Sequence, residues 1–132
     1  MAVEHNARAA LDDIVELYNK GDVAGVVGKY WANATVTVNG RTIATGGGDV
    51  LAGELAVLAA APDRKLRITN AVADGRVVAV EATLSFTDRS SGSAREAHWS
   101  AFWTFADNGS ITTDNAYFDP ADWPAVSAEQ ST

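Results

Sequence analysis

A carboxylate stands in the middle of a segment that alternates like a β-strand. The segment is ITTDNAYFDP, and its Asp114 and Asn115 occupy positions where a buried strand usually carries Val or Ile. Apolar neighbours would raise the pKa of this carboxyl group and let it donate or accept a proton near neutral pH. Asp114 is therefore the first candidate for acid–base catalysis.

Glu81 and His98 are the other two candidate catalytic residues. They lie on two neighbouring predicted strands and become diagonal neighbours if Thr83 pairs with His98. A carboxylate beside an imidazole holds the ring in one tautomer and prepares a general base. Ordinary polar residues on an exposed strand would give the same pattern. A metal site of His98, Glu81 and Asp114 is less favoured, because no second His has suitable spacing, and we expect neither metal nor cofactor.

Several aromatic and amide side chains are candidates for contacts with a small ligand. Each also has a structural interpretation: Tyr18 and Trp31 could belong to the core, and Asn39 could serve an Asn-Gly turn. Aromatic walls around a few polar groups are typical of small-molecule cavities. The candidate binding residues are Tyr18, Trp31, Asn39, Phe102 and Phe118.

Composition indicates one globular domain, residues 1–132. A content of 47% apolar residues is enough for a core, and a formal net charge of −7 disfavours nucleic acid and anionic lipid as partners. The absence of cysteine excludes disulfides, thiol nucleophiles and thiolate metal sites. The N-terminal segment lacks the apolar core of a signal peptide, and no apolar run reaches the length of a membrane span. We expect a soluble, cytoplasmic protein.

Three helices are predicted in the first half of the chain. Apolar residues from Arg8 to Asn19 follow helical spacing, and Gly21 is a plausible stop. Asp22 can cap a short second helix that extends to Tyr30. The third helix follows Gly46-Gly47-Gly48 and ends at Pro62. A phosphate-binding role for these glycines is disfavoured, since no Lys-Ser/Thr follows them and Asp49 would repel an anion.

Strands dominate the rest of the chain. Asn39-Gly40 is a hairpin signal, and the later connections ADG, DRSSGS and DNG all have turn chemistry. An antiparallel meander after helices is typical of an α+β fold. The predicted strands are Ala34 to Asn39, Arg41 to Thr45, Lys65 to Val72, Arg76 to Thr87, Ala94 to Ala106 and Ser110 to Phe118.

The turns also predict which residues share a face of the sheet. With Thr87 opposite Ala94, and Phe105 opposite Ile111, Asp114 pairs with Phe102 and His98 pairs with Phe118. One face is then mixed: Glu81, Thr83, Ser85, His98, Ser100, Phe102, Asp114, Ala116 and Phe118. The other is apolar and must be covered by helices or by a second subunit: Val80, Leu84, Phe86, Trp99, Trp103, Phe105, Ile111 and Tyr117.

Two segments resemble a known superfamily. LYNKGDVAGVVGKYWANATVTVNG resembles the opening of the NTF2-like superfamily, which includes ketosteroid isomerases, limonene-epoxide-hydrolase-like enzymes and SnoaL-like polyketide cyclases; DNGSITTDNAYFDP resembles its last strand. The resemblance implies a cone-shaped α+β fold with three N-terminal helices packed on a curved antiparallel sheet around a pocket. It places the mixed face beneath the helices, and its usual dimer would then use the apolar face with Trp99 and Trp103.

The catalytic pattern of each subfamily is incomplete in this chain. In the hydrolases and cyclases of the family, the acids of the last strand align with Asp114 and Ala116, so that one acid is missing here. The Arg-x-Asp of the hydrolases aligns near Glu81 and Thr83, and their first-strand Asn aligns with Asn39. Two functions therefore stay open. One is a cofactor-independent cyclase, isomerase or lyase for an apolar carbonyl compound such as a polyketide or terpenoid; the other is a non-catalytic binding or dimerisation module.

Overall fold

The computed structural model describes residues 2–124, apart from the side chains of residues 2–6 and of Trp31. The described residues form three helices and six strands, and the fold is of the α+β class. Their bounds are α1 Ala2–Asn19, α2 Val23–Val27, β1 Tyr30–Val38, β2 Arg41–Thr45, α3 Gly47–Ala60, β3 Lys65–Asp74, β4 Val77–Thr87, β5 Ala94–Phe105 and β6 Ile111–Tyr117. None of these helices is long and apolar enough to cross a membrane.

The predicted end of α1 at Gly21 and the predicted cap of α2 at Asp22 are both present in the structure. Gly21 adopts a φ of +74°, which L-residues with a side chain rarely adopt, and so lets the chain leave α1. Asp22 then caps α2, because its carboxylate accepts a 2.9 Å hydrogen bond from the backbone N–H of Gly25. The prediction that α2 extends to Tyr30 is wrong: α2 ends at Val27, and Tyr30 is the first residue of β1.

The sheet has the strand order β2-β1-β6-β5-β4-β3 and is curved. The strands that come first and last along the chain, β1 and β6, lie side by side and run parallel, while the other pairs are antiparallel. The prediction of a purely antiparallel sheet is therefore wrong. Two helices precede β1, and the third lies between β2 and β3, so the three helices are not all N-terminal to the sheet.

Strand β1 starts at Tyr30 and not at the predicted Ala34. Its pairing with β6 shifts between Tyr30 and Thr35, so the alternation of side chains is interrupted there. A two-residue period is the main signal of a strand in a sequence, and this irregularity removes it from the first residues of β1.

The register of β4 with β5 agrees with the prediction, since Thr83 pairs with His98 and Glu81 pairs with Ser100. The register of β5 with β6 begins as predicted with Phe105 opposite Ile111 and then shifts. Asp114 consequently pairs with Trp103, and the predicted pairing of Asp114 with Phe102 is wrong.

The shift comes from one extra residue in β6. Thr104 pairs with Thr113 while Phe105 pairs with Ile111, so Thr112 is a bulge, and its hydroxyl donates a 3.1 Å hydrogen bond to the carbonyl of Thr104. A slip of one residue moves every following side chain to the opposite face. The bulge therefore transfers Asp114 and Ala116 to the face that carries the tryptophans.

The apolar face of the sheet packs against the helices. Trp99 and Trp103 are only 9% and 4% exposed and belong to one core cluster with Leu11, Ile14 and Tyr18 of α1. The prediction that the mixed face lies beneath the helices is wrong. So is the predicted dimer interface on the tryptophan face, because helices already cover the two tryptophans.

Side chains from two elements tie the C-terminal end of α1 to the start of β3. Arg64 and Lys65 donate to the carbonyl oxygens of Tyr18 (3.4 Å) and Asn19 (2.7 Å) in the last turn of α1, where basic side chains often bond the final carbonyls. The amide of Asn19 bonds both the N–H and the carbonyl of Leu66, at 2.7 and 2.9 Å. The position of Tyr18 relative to the sheet is thereby fixed.

Candidate active site

A cavity of about 180 Å³ lies between the helices and the apolar face of the sheet. A few polar side chains reach it: Tyr18, Tyr30, Glu54, Trp103 and Asp114. The remaining wall is almost entirely apolar and includes Ile14, Val15, Val26, Val36, Val38, Ile43, Val57, Leu66, Trp99, Ala116, Phe118 and Trp123. A largely apolar wall with few polar groups is the usual composition of a small-molecule site.

Asp114 contributes a buried carboxyl group to this cavity. Its side chain is brought inward by the bulge at Thr112, and the residue is 6% exposed. Oδ2 accepts a 2.8 Å hydrogen bond from the hydroxyl of Tyr30, whereas Oδ1 has no partner among the described residues. Burial raises the pKa of Asp114 to about 6, and the hydrogen bond from the Tyr30 hydroxyl lowers it in part. The Trp103 N–H also lowers this pKa because it lies near the carboxylate, although the two do not form a hydrogen bond of ordinary geometry. The raised pKa expected from the sequence is confirmed.

Tyr30 orients this carboxylate. Burial and the nearby negative charge of Asp114 raise the pKa of the Tyr30 hydroxyl well above its usual value, so the hydroxyl keeps its proton and remains a donor. Because Tyr30 holds Oδ2, Oδ1 is the carboxylate oxygen that stays without a hydrogen bond among the described residues. Sequence reasoning missed this role, since it placed Tyr30 at the end of a helix.

Glu54 on α3 contributes a second carboxyl group to the cavity wall. Burial raises its pKa to about 7; the positive charge of Arg64 lowers it in part, and the negative charge of Asp114 raises it. Its Oε1 is buried, and no described group bonds it. Sequence reasoning missed Glu54, although a single acid in the apolar helix VLAGELAVLAA is a recognisable signal of a buried polar function.

Arg64 is a buried cation behind this wall. It is 1% exposed, and its guanidinium carbon lies 3.8 Å from the centre of the Tyr18 ring. Burial raises the pKa of the Tyr18 hydroxyl far above its usual value, so Tyr18 is neutral. No sequence signal marked Arg64, because DRK after Pro62 has the pattern of an ordinary charged loop.

Three of the predicted site residues line the cavity: Asp114, Tyr18 and Phe118. The ring of Phe118 stacks on Trp123 with their centres 4.7 Å apart, so the two rings form one apolar part of the wall. The side chain of Trp31 lies outside the described residues, and its predicted binding role stays a prediction.

Glu81, His98 and Phe102 lie on the opposite, outer face of the sheet. Glu81 and His98 border a shallow groove with Ser100 and Tyr117, and Phe102 is 51% exposed. The prediction that these residues share a cavity with Asp114 is wrong, because the bulge in β6 separates them. Among side chains that the structure describes, no three His, Asp or Glu residues are grouped to hold a metal ion.

Asn39 is exposed and serves the backbone. It has a φ of +52° in the turn before Gly40, and its amide bonds the carbonyl and the N–H of Phe118 at 2.9 and 3.3 Å. Asn tolerates this conformation better than most residues. Of the two interpretations of Asn39, the turn interpretation agrees with the structure, and the side chain is not part of the cavity wall.

A family profile described as SnoaL-like domain matches residues 11–113. The comparison with curated proteins finds no match. Among solved structures, the epoxide hydrolase/cyclase-like enzyme SalBIII, with a role in pyran ring formation in polyether salinomycin, has a TM-score of 0.81 at 19% identity, covering 95% of this chain and 99% of that one.

Two further structures have the same fold. An LEH-like epoxide hydrolase from M. tuberculosis has a TM-score of 0.75 at 18% identity and covers 91% of this chain and 87% of its own. A protein with a ketosteroid isomerase-like fold from Catenulispora acidiphila, in complex with trimethylamine, has a TM-score of 0.76 at 16% identity, with 86% and 88% covered. At such identities the similarity shows the fold alone.

Proposed function

Since this chain belongs to the family of SnoaL-like domains, we propose that it is a cofactor-independent enzyme that moves protons on a compact, largely apolar molecule. The reaction is an isomerisation, cyclisation or lysis of a carbonyl compound, such as a small polyketide or terpenoid. One observation carries the proposal: two buried carboxyl groups with raised pKa values, Asp114 and Glu54, face the same cavity.

The two acids are suited to different roles. Near neutral pH, Asp114 with a pKa of about 6 is mostly ionised, whereas Glu54 with a pKa of about 7 keeps its proton about half of the time. Asp114 is then the general base and Glu54 the general acid. Catalytic groups work best when their pKa values lie near the operating pH.

The wall of the cavity supports the substrate class. Alkyl and aromatic side chains supply most of its surface, so the bound molecule must be mainly hydrocarbon. A carbonyl oxygen can accept a hydrogen bond from protonated Glu54, which would stabilise an enol or enolate as Asp114 removes a proton. A similar structure is named as an epoxide hydrolase/cyclase-like enzyme, which supports a reaction of this general class.

Deuterium exchange at carbon next to a carbonyl tests this proposal without knowledge of the natural substrate. Cyclohexanone in heavy water is followed by proton NMR with catalytic amounts of protein. We expect exchange above the buffer rate, and Asp114→Asn should reduce the accelerated part by a factor of about 10²–10⁴. His98→Gln, on the outer face, is the matched control and should exchange as fast as the natural protein.

The alternative is a non-catalytic binding module with the same cavity. It predicts that cyclohexanone binds while exchange stays at the buffer rate for all variants. Equal acceleration by the natural protein and by Asp114→Asn would also overturn the proposal, because another group would then be the base.

The outer face of the sheet supports a homodimer. Val72, Phe102 and Tyr117 are 61%, 51% and 47% exposed there. The register places them close together, since Val72 pairs with Ala79, which pairs with Phe102 on the next strand. Exposed aromatic and aliphatic side chains in one patch are typical of a two-fold interface. Sedimentation velocity should show a dimer, and Phe102→Asp should shift it to monomer while leaving the fold intact.

A further inference from the structure

Two unpaired polar atoms meet at the same place in the cavity. The indole Nε1 of Trp103 and Oδ1 of Asp114 are both buried, and neither forms a hydrogen bond of ordinary geometry with a side chain that the structure describes. The Trp103 N–H is nevertheless near enough to Asp114 to lower the pKa of its carboxyl group. Trp103 and Asp114 are direct partners across β5 and β6, and both line the cavity. The indole can only donate, and an ionised carboxylate can only accept.

Leaving two such atoms unpaired is unfavourable. A buried polar group without a partner destabilises the folded state, and most buried polar groups in native proteins are paired. Tyr30 does not remove this need, because its hydroxyl is committed to the other oxygen of Asp114. Because the Trp103 N–H and Oδ1 of Asp114 lie near each other without closing a hydrogen bond of ordinary geometry, they point to a ligand group that accepts one hydrogen bond and donates another.

A hydroxyl group has this property in a single atom. Its oxygen can accept from the Trp103 N–H while its proton is donated to Asp114. A carbonyl or ether oxygen could only accept, and would leave Asp114 unpaired; an ammonium group could only donate. Amides and carboxylic acids also donate and accept, but the apolar wall around the pair disfavours such strongly hydrated groups, so a compact alcohol is the ligand class that fits best. A bridging water molecule is the competing occupant, and it predicts that the Trp103 signal does not respond to an alcohol.

The geometry points to a ligand that carries a hydroxyl group, held between Trp103 and Asp114, with Trp103 as the residue that selects it. This inference names the ligand class of the site described under Proposed function and rests on that site being the place of binding. Glu54 is left free for a second oxygen of the same molecule. A hydroxylated ketone or a similar hydroxy-carbonyl compound matches both positions.

The test compares two probes of equal shape, cyclohexanol and methylcyclohexane. In the ¹⁵N–¹H spectrum the four tryptophans give four indole signals, and Trp103→Phe identifies the one from Trp103. Saturation with cyclohexanol should move that signal downfield, and methylcyclohexane should not. Loss of one hydrogen bond in Trp103→Phe should weaken the binding of cyclohexanol by a factor of about three to ten and leave the affinity for methylcyclohexane unchanged.

Trp99→Phe is the matched control, because Trp99 lines the same cavity and its N–H is not among the unpaired buried atoms. It should affect both probes equally. The inference fails if the Trp103 signal does not respond to cyclohexanol, or if Trp103→Phe weakens both probes alike. Should Trp103→Phe not fold, the signal of the natural protein, assigned by triple-resonance experiments, decides the matter.

This outcome can be separated from that of the catalytic proposal. Cyclohexanone has no hydroxyl group, so its deuterium exchange depends on Asp114 and Glu54 and not on recognition by Trp103. Deuterium exchange without a preference for cyclohexanol over methylcyclohexane would contradict the hydroxyl inference alone. A preference for cyclohexanol without deuterium exchange in cyclohexanone would contradict the catalytic proposal alone.

Discussion

The hydroxyl of Tyr30 donates a 2.8 Å hydrogen bond to Oδ2 of Asp114, and so joins β1 to a residue 84 positions later on β6. The parallel pairing of the first and last strands places the two elements side by side. The bond fixes the orientation of the carboxylate and leaves Oδ1 for the role that we propose for it. It also stabilises the ionised form, since a hydrogen bond donated to a carboxylate favours its charge.

Removal of this donor should raise the pKa of Asp114. In Tyr30→Phe the ring volume is kept, while the bond that lowers the pKa is lost, so Asp114 should titrate above the present value of about 6. A ¹³C NMR titration of the side-chain carboxyl group measures the change. Tyr18→Phe is the control, because Tyr18 lines the cavity without bonding Asp114. An unchanged titration in Tyr30→Phe would contradict the role of Tyr30.

Asp114→Asn should make the protein more stable at high pH. The pKa of Asp114 rises from 3.8 to about 6 on folding, so the folded state holds the proton more tightly. Stability is therefore lost as the pH rises from the unfolded value through about 6, and the loss is complete above it, at roughly 3 kcal/mol. Asn does not ionise and escapes this loss.

Urea unfolding at several pH values measures whether Asp114→Asn is more or less stable than the natural protein. The advantage of Asp114→Asn over the natural protein should grow between about pH 4 and pH 6 and then level off. Asp63→Asn is an opposite control: the hydrogen bonds from Thr87 hold the pKa of exposed Asp63 below its usual value, so its ionisation stabilises the folded state. If the difference in stability between Asp114→Asn and the natural protein stayed constant across this pH range, that result would contradict a buried Asp114 with a raised pKa.

The rate of deuterium exchange should depend on pH with a maximum between about 6 and 7. Asp114 must be ionised to accept a proton, so the rate rises through its pKa of about 6. Glu54 must be protonated to donate, so the rate falls through its pKa of about 7. The two limbs belong to the interacting pair. In Glu54→Gln the rate should be lower and the alkaline fall should disappear; its persistence would assign that limb to another group.

Much of the fold could be predicted because it depends on local signals. Gly21 and Asp22 mark the junction of α1 and α2, and β2 has the predicted bounds Arg41–Thr45. The turn between β4 and β5 sets their register from end to end. Periodicity and turn residues act over a few positions, so a single sequence contains this information.

The arrangement of the site depends on features without a local signal. One bulge residue, Thr112, decides which face Asp114 occupies, and nothing in ITTDN distinguishes a bulge from regular pairing. Glu54 becomes part of the site only because α3 packs against β1, the strand that lies beside β6, and this is a relationship between distant segments. Asp114 itself was predicted from its type, while Glu81 and His98 were assigned to its face by a register that the bulge changes.

Asn39 should stabilise the protein through its turn and not through a ligand. Asn39→Ala loses both bonds to Phe118 and places a side chain with a β-carbon at a φ of +52°, so the free energy of unfolding should fall by about 1–3 kcal/mol. Asn39→Gly loses the same bonds but accepts this φ, and should be the milder change. Thermal unfolding ranks them; equal losses would mean that the conformation of the turn contributes nothing.

Arg64 should set the pKa of Glu54 from behind the wall of the cavity. Its positive charge is buried and acts against the burial that raises the pKa of Glu54 to about 7. Arg64→Met keeps an unbranched apolar side chain and removes the charge, so the pKa of Glu54 should rise further. The alkaline limb of the rate profile should then move to higher pH, and a ¹³C titration of Glu54 should move with it. Arg64→Lys separates charge from packing, because it keeps the charge and loses the planar contact with Tyr18. A merely structural Arg64 would lower stability in both variants and leave the titration of Glu54 unchanged, and that result would contradict its electrostatic role.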